Sequence, residues 1–573
     1  MTQPALSLIH GTPLEDEPGL GPLTIAGYLR EVVRRHGPSE ALVLRAGNQR
    51  LSWTYDELLA RSLDVARSLV EIGVARDTRV GLLMTNRPEF LATLFGIALA
   101  GGVPVALSTF STEPELDVML KAAQVAVLLY EDRVLKKDFG AMLRGLEPAI
   151  AGAAGPLVSA RYPFLRHLVV LGGVPGGPEP LDAPATGVVE SWAQFLAHGA
   201  GTPDGIVLAR ADSTHPGDPG GVFFSSGTTS LPKGIVHSQR AFAIQWWRWP
   251  RVFAMAEPVR AWTGNGFFWS GNVSMVVGSA LSTGGAVVLQ RWFDEAEAID
   301  LIAQERVSFA NGRPHQWARF QSAPNWASAD FSSLRYVPRK DLLQQHPTAA
   351  HLAWEVPMSF GTTETMTICT SRVASIDEAF YAGSMGAPLP GNTLKIIDPL
   401  TRELMPLGEK GEMCIKGPTL MSGYLGKSPE QCFDAEGFYC TGDAGHVDAQ
   451  GRFFWDGRLT DMIKTGGANV APQEIDDLLA KLPGVKRAQT VGVPDDLLGE
   501  IVVTCIVPVD GAQLAEAAIV AHLKPHLASF KLPRRVLFFS DADYALTGNE
   551  KIQAGKLREL AAARLDRQAS APA

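Results

Sequence analysis

The stretch FLATLFGIALAGGVPVAL, residues 90–107, decides the broad class of this chain. It is almost long and apolar enough to cross a bilayer, which takes about 20 uninterrupted apolar residues. Gly101, Gly102 and Pro104 interrupt it, so it reads as a buried helix running straight into a buried strand. Shorter apolar runs repeat the theme. RVGLLM, AVLLY, HLVVLGG and AVVLQ alternate with amphipathic stretches such as residues 23–37 and the segment after Thr54, a capping threonine ahead of Asp56 and Glu57. Parallel strands joined by crossover helices produce this alternation, and the predicted fold class is α/β.

At 573 residues the chain exceeds the roughly 250–300 residues that one core supports, so two or more domains are expected. Between residues 149 and 221 glycine, alanine and proline are frequent, which predicts loops over a scaffold apart from FLRHLVVL and SWAQFLAHG. Beyond Gly411 the texture changes to short strands and turns, and from Pro472 to alternating helix and strand. A boundary falls within 457–464, giving domains 1–460 and 461–573. The net charge of -9 leaves no basic footprint for nucleic acid or an anionic membrane, so any phosphate binding must be local. Five dispersed cysteines without a CxxC pair predict reduced thiols, and with no secretory leader in view the expected location is cytoplasmic.

Against this background SSGTTSLPKG, residues 225–234, stands out. It follows an apolar strand end and offers Ser225, Ser226, Thr228, Thr229 and Ser230 as donors, Gly227 for close backbone approach and Lys233 as a mobile cation. Such a loop suits oxyanions, yet Pro232 stands where a Walker loop needs glycine. Taken alone it also fits an ordinary surface loop.

Four further stretches follow in order: SFGTTET (359–365), GEMCIKGPTLMSGY (411–424), YCTGD (439–443) and GRLTDMIKTGGANVAPQEI (457–475), with LTGNEKIQAGKLRE closing the series. Together with the loop they resemble the adenylate-forming enzymes (acyl-CoA synthetases, luciferases and peptide-synthetase adenylation domains) over roughly residues 23–560. The resemblance implies a large N-terminal domain of stacked α/β subdomains and a small mobile α+β C-terminal domain, joined by a hinge near Asp461. It also implies the site. The loop would hold the β- and γ-phosphates of ATP, Phe360 would lie against adenine, Thr363 near the α-phosphate and Glu364 on Mg2+. Asp443 would accept from both ribose hydroxyls and Arg458 would reach the nucleotide. Gly466 and Gly467 would admit the pantetheine of coenzyme A. Lys551 would bridge the substrate carboxylate and the α-phosphate, although Glu550 replaces the usual glycine before it. Where the family shows a small turn touching adenine, this chain has Val337, Pro338 and Arg339.

Trp269, in NGFFWSGNVSM, falls where many acyl-CoA synthetases carry histidine, as a wall of the acyl pocket, a gate, or a core aromatic beside Phe267 and Phe268. Gly312 and Gly361 lie in the other wall stretches, which are mixed apolar and aromatic; His315 and Arg319 either meet a polar group of the acid or serve structure. No aspartate stands in the segment to hold an amine, so the expected substrate is a largely hydrophobic carboxylic acid (fatty, aryl or alicyclic) rather than an amino acid. With no carrier module visible before Ala573, coenzyme A is the expected acceptor and the reaction an ATP-dependent acyl-CoA ligation through acyl-AMP. The alternatives are loading of a carrier protein or a catalytically impaired ligand-binding relative. A homodimer is compatible with the sequence.

Overall fold

A parallel sheet is buried on both faces, and its strands need helices above and below. The computed structural model describes the chain apart from residues 1–4, 48, 153–154, 175–182, 184, 227–231, 338–341, 350–353, 355–356, 375–382, 466–467, 496–497, 528–530, 544–553 and 571–573. One sheet has eight strands in the order Val189–Ser191, His167–Leu171, Val127–Glu131, Arg79–Leu83, Val103–Ala106, Pro219–Ser226, Pro232–Ser238 and Gly423–Tyr424. The first six run parallel and the last two antiparallel. A second sheet is ordered Phe309–Asn311, Arg260–Thr263, Ala286–Leu289, Glu40–Ala46 and Gln49–Thr54, parallel up to its terminal hairpin.

The stretch that opened the sequence reading folds as expected. Helix Pro88–Ala100 is buried along its whole length, ends at Gly101 with φ 86, and strand Val103–Ala106 follows. That left-handed residue is where glycine stops a helix without a Cβ penalty. Helix Tyr55–Glu71 begins with a complete capping box between Thr54 and Glu57. One buried cluster joins Val80, Leu129 and Phe223 of the first sheet to Leu42, Ala261 and Val287 of the second through the helices Ile25–His36, Pro88–Ala100 and Gln239–Val252. The two sheets therefore share one core. On Gln239–Val252, Arg248 is fully buried and donates from Nε and Nη2 to Glu17 at 2.9 and 2.7 Å, fastening the segment around Leu14–Asp16 to that helix.

These elements belong to a compact unit of residues 11–392 and 416–437; residues 1–10, 393–415 and 438–573 form a second. The second unit contains a sheet of Leu8–His10, Thr393–Ile397, Gly411–Lys416, Tyr439–Val447 and Phe453–Arg458. It also contains a sheet of Ala468–Val470, Ile463–Thr465, Gly499–Pro508 and Val485–Asp495, with Arg535–Phe538 parallel beside Gly499–Pro508. Helices Pro472–Leu479, Glu516–Leu523 and Ala554–Ser570 complete it.

Two expectations need correction. The stretch 149–221 holds a helix, Asp204–Asp212, beyond those anticipated. Five reduced thiols were expected, yet Cys414 and Cys440 are disulfide-bonded, because strand register places them directly opposite each other. Cys369, Cys432 and Cys505 are buried thiols. Among the described residues no helix is long and apolar enough to cross a membrane.

Candidate active site

A strand that opens into a Ser/Thr/Gly loop can lead into a helix or turn back on itself, and here it turns back. Pro219–Ser226 pairs antiparallel with Pro232–Ser238, with Ser225 opposite Lys233 and Phe224 opposite Gly234. Ser225 and Ser226 end the first strand and Lys233 stands half-buried at the neck. Gly227, Thr228 and Thr229 lie outside the described residues. A Cβ on Gly234 would come within 2.4 Å of the Leu425 side chain, so the chain around Gly423–Tyr424 packs closely on this strand.

Strand Ser359–Phe360 pairs with Thr370–Ser371 and leads into the single 3-10 turn Thr363–Thr365. The Thr367 N–H donates to the Thr362 carbonyl at 3.1 Å, and the Thr362 N–H to Thr365 Oγ1 at 2.9 Å. Met366 and Thr367 adopt φ 50 and 91, the second a costly conformation for a β-branched residue. Phe360 is buried, and a Cβ on Gly361 would fall 1.4 Å from the Thr367 carbonyl oxygen, so position 361 admits no side chain. Glu364 is fixed twice: its Oε1 accepts from the Tyr424 hydroxyl at 2.8 Å, and its carbonyl from the Met421 N–H at 2.7 Å. The Ser422 N–H also donates to the Val236 carbonyl, so one short segment ties the Glu364 turn to the Lys233 hairpin. Tyr424 had no role in the sequence reading; its place at the end of GEMCIKGPTLMSGY was the available signal.

Behind the turn, His237 is fully buried between the rings of Phe223 and Phe242, 6.2 and 6.4 Å away between centroids, and faces the Thr363 backbone. Burial pushes its imidazole down to about 4, so the ring is neutral at neutral pH.

On the expected acyl side, Trp269 is half-buried, 5.0 Å from Phe268 and 5.9 Å from Phe110, whose ring is 55% exposed. The residues that follow, Asn272–Val277, form a π-helix, a geometry concentrated at functional sites. Ser274 Oγ lies 3.3 Å from Thr367 Oγ1 and accepts from Trp249 Nε1. Asn272 Oδ1 accepts from Asn311 Nδ2 at 3.1 Å, next to Gly312, where a Cβ would fall 2.5 Å from the Trp317 ring. The Trp269 segment, Gly312 and the Gly361 turn are thus hydrogen-bonded neighbours. Arg319 instead pairs with Glu295; the side chain of His315 lies outside the described residues.

In the second unit Asp443 is almost fully buried, accepts from Trp455 Nε1 at 2.9 Å and pairs with Arg458 Nε at 3.1 Å. Arg458 Nη1 also donates to the Thr441 carbonyl, which fixes the guanidinium beside the carboxylate. Trp455 is a partner the sequence reading did not anticipate. Asp461 ends the short turn Leu459–Asp461 and is exposed. Val337 is buried and its carbonyl accepts from Gln344 Nε2. Gly466, Gly467, Lys551, Glu550, Pro338 and Arg339 lie outside the described residues.

The strand that opens into the Ser/Thr/Gly loop returns as a hairpin beside the Glu364 turn, so the loop is not of the Walker strand-to-helix kind. The chain belongs to the AMP-binding enzyme family, whose model matches residues 29–425, with the AMP-binding enzyme C-terminal domain at 474–551. It is 30% identical over 544 residues to an indoleacetate–CoA ligase of Aromatoleum aromaticum, covering 93% of this chain and 98% of that one. It is 31% identical over 535 residues to a feruloyl-CoA synthase of Amycolatopsis sp, covering 90% and 95%. In fold it matches ATP-bound MatB from Rhodopseudomonas palustris with a TM-score of 0.73 at 24% identity, over 94% of this chain and 99% of that one.

Proposed function

We propose that this enzyme uses ATP to activate a largely hydrophobic carboxylic acid as acyl-AMP, releasing pyrophosphate, and then passes the acyl group to coenzyme A. The observation that carries this reading is Glu364, braced by Tyr424 on a turn that Gly361 locks and that is tied to the Lys233 hairpin.

Glu364 suits Mg2+, because Oε1 is taken by Tyr424 while the second carboxylate oxygen remains as a hard donor. A metal held there supplies neutralising charge to the triphosphate. Lys233 and the hydroxyls of 225–230 hold the β- and γ-phosphates, and Asp443, paired with Arg458, accepts from the ribose hydroxyls. In the first half-reaction a substrate carboxylate oxygen attacks the α-phosphorus and the bond to pyrophosphate breaks, with Lys551 neutralising both anions. In the second, the coenzyme A thiolate attacks the acyl carbon and AMP leaves. A backbone change at Asp461 separates the two steps, and Gly466 and Gly467 give pantetheine room. The aromatic group of Phe110, Phe268 and Trp269 and the neighbouring π-helix favour an apolar acid. The indoleacetate and feruloyl groups named for two relatives keep aryl acids among the candidates with fatty and alicyclic ones.

The test is pyrophosphate release with ATP and Mg2+ over a panel of fatty, aryl and alicyclic acids, followed by coenzyme A. At least one acid should elicit pyrophosphate, then a coenzyme A thioester and AMP. Lys551→Ala should lower pyrophosphate release by about 10²–10³, whereas Asp461→Pro should retain release and lose thioester. If no acid elicits pyrophosphate the reading fails, and acyl transfer to a carrier protein but not to coenzyme A would replace its second half.

A further inference from the structure

The second sheet carries an open cavity of about 480 Å3 at its Arg260 and Ser308 edge. Arg260 begins strand Arg260–Thr263 and Ser308 precedes strand Phe309–Asn311. Thr263 and Asn311, which hydrogen-bond to Asn272 on the acyl side, stand at the opposite ends of these strands. The cavity is therefore separate from the candidate active site.

Its lining is dominated by charge: Arg50, Arg260, Arg306 and Arg335 against Glu257 and Glu305. Glu305 is the anchor. Its side chain is 2% exposed and takes Arg45 at 2.5 Å, Arg50 at 2.8 Å and Arg260 at 2.9 Å. Glu40 takes second contacts from Arg50 and Arg260 at 2.8 and 2.7 Å. Three guanidiniums on two carboxylates leave one positive charge over, and the lattice of contacts holds Arg50 and Arg260 in place.

Arg306 and Arg335 add two more charges. Arg335 Nη1 donates only to the Ser332 and Leu334 carbonyls, and among the described residues neither arginine forms an ion pair. Asp330 is within electrostatic reach of Arg306 but exposed and unbridged to it. Glu257 removes one charge, so the groups of the cavity and its anchor carry a surplus of two, on a chain whose net charge is -9.

Backbone conformation points the same way. Arg306 follows helix Glu295–Gln304 and its cap Glu305, and adopts φ 50. Glycine or asparagine ends a helix there at lower cost, so an arginine in that conformation is held against local preference. Its guanidinium is what the position provides to the cavity.

We propose that this cavity is a second anion site that takes a phosphate dianion, free or as the terminal group of a phosphorylated small molecule. Arg306 and Arg335 grip the phosphate oxygens, and the Glu305-anchored Arg260 and Arg50 form the positive floor beneath. Planar guanidiniums suit tetrahedral oxyanions, and a concave basic surface concentrates them.

Calorimetric titration of the full chain with inorganic phosphate, at low ionic strength and without ATP, run beside a Lys233→Ala variant in which the nucleotide loop is weakened, tests this. One saturable site is expected, weakened at least about tenfold in the Arg306→Ala/Arg335→Ala double variant and weakened by added salt. Glu257→Gln should tighten binding by about threefold, a gain that misfolding does not produce. A parallel titration with glycerol 3-phosphate separates the sources: equal or tighter binding than inorganic phosphate assigns the site to phosphorylated metabolites, weaker binding to free phosphate. No saturable binding, an affinity unchanged in the double variant, or binding lost in Lys233→Ala overturns the proposal.

Discussion

Gly361→Ala should abolish pyrophosphate release while leaving a folded protein. The added Cβ would lie 1.4 Å from the Thr367 carbonyl oxygen, a backbone atom that no rotamer change removes. Only a displacement of the 361–367 turn relieves the clash. That displacement pulls against the Thr367 to Thr362 hydrogen bond and swings Glu364 away from Tyr424. Misplacing a positioned group by about 1 Å costs on the order of 10²-fold in rate, and overpacking costs about 1–3 kcal/mol in stability. Met366 and Ile368 beside the turn belong to the main buried cluster, so the stability loss reaches the shared core, yet at this size it leaves the fold standing. Pyrophosphate release measured beside thermal unfolding separates the two effects. Wild-type release from this variant would mean that the turn does not position the chemistry.

Glu17→Ala should destabilise the protein by about 3–5 kcal/mol. Arg248 is buried to the last few per cent on helix Gln239–Val252, and Glu17, itself 6% exposed, is the carboxylate that takes both its Nε and Nη2. Removing Glu17 leaves a guanidinium in an apolar setting whose Nη1 already has no hydrogen-bond partner among the described residues. Glu17→Gln keeps the size and an acceptor but not the charge, and should fall between. The urea midpoint should shift in proportion with an unchanged slope. A midpoint equal to wild type would show that the segment before the helix releases and lets water reach Arg248.

Much of the scaffold was legible because it rests on local rules. The Gly101 stop, the Thr54 capping box and the apolar runs of the parallel strands each act within a few residues. Taken alone, the loop and SFGTTET also fit a surface loop and a capped turn; it was their order along the chain with the other stretches, through a family resemblance, that pointed to a nucleotide site. What stayed hidden depends on register and long-range contact. Cys414 meets Cys440 because two strands align 26 residues apart, Tyr424 meets Glu364 because a two-residue strand joins the first sheet's edge, and Trp455 meets Asp443 across a hairpin. Arg248, inside WWRWP, has the look of an exposed helical cation; Glu17 and the Pro390 carbonyl, both far away in sequence, satisfy it in the interior.

His237 gives the floor of the nucleotide turn a proton linkage. Its imidazole titrates near 4 in the folded chain against an ordinary 6.5, so between those values the unfolded chain takes up a proton that the folded chain refuses. Stability is therefore full above about pH 6.5 and declines as pH falls toward 4, by on the order of 3 kcal/mol in all. The urea midpoint should drop between pH 7 and pH 5 by less in His237→Leu than in wild type; equal drops would place the acid sensitivity elsewhere. Because the ring packs against Phe223 and Phe242 of the shared core and faces the Thr363 backbone, one buried imidazole links the stability of that core to the turn that carries Glu364, so both feel the same proton.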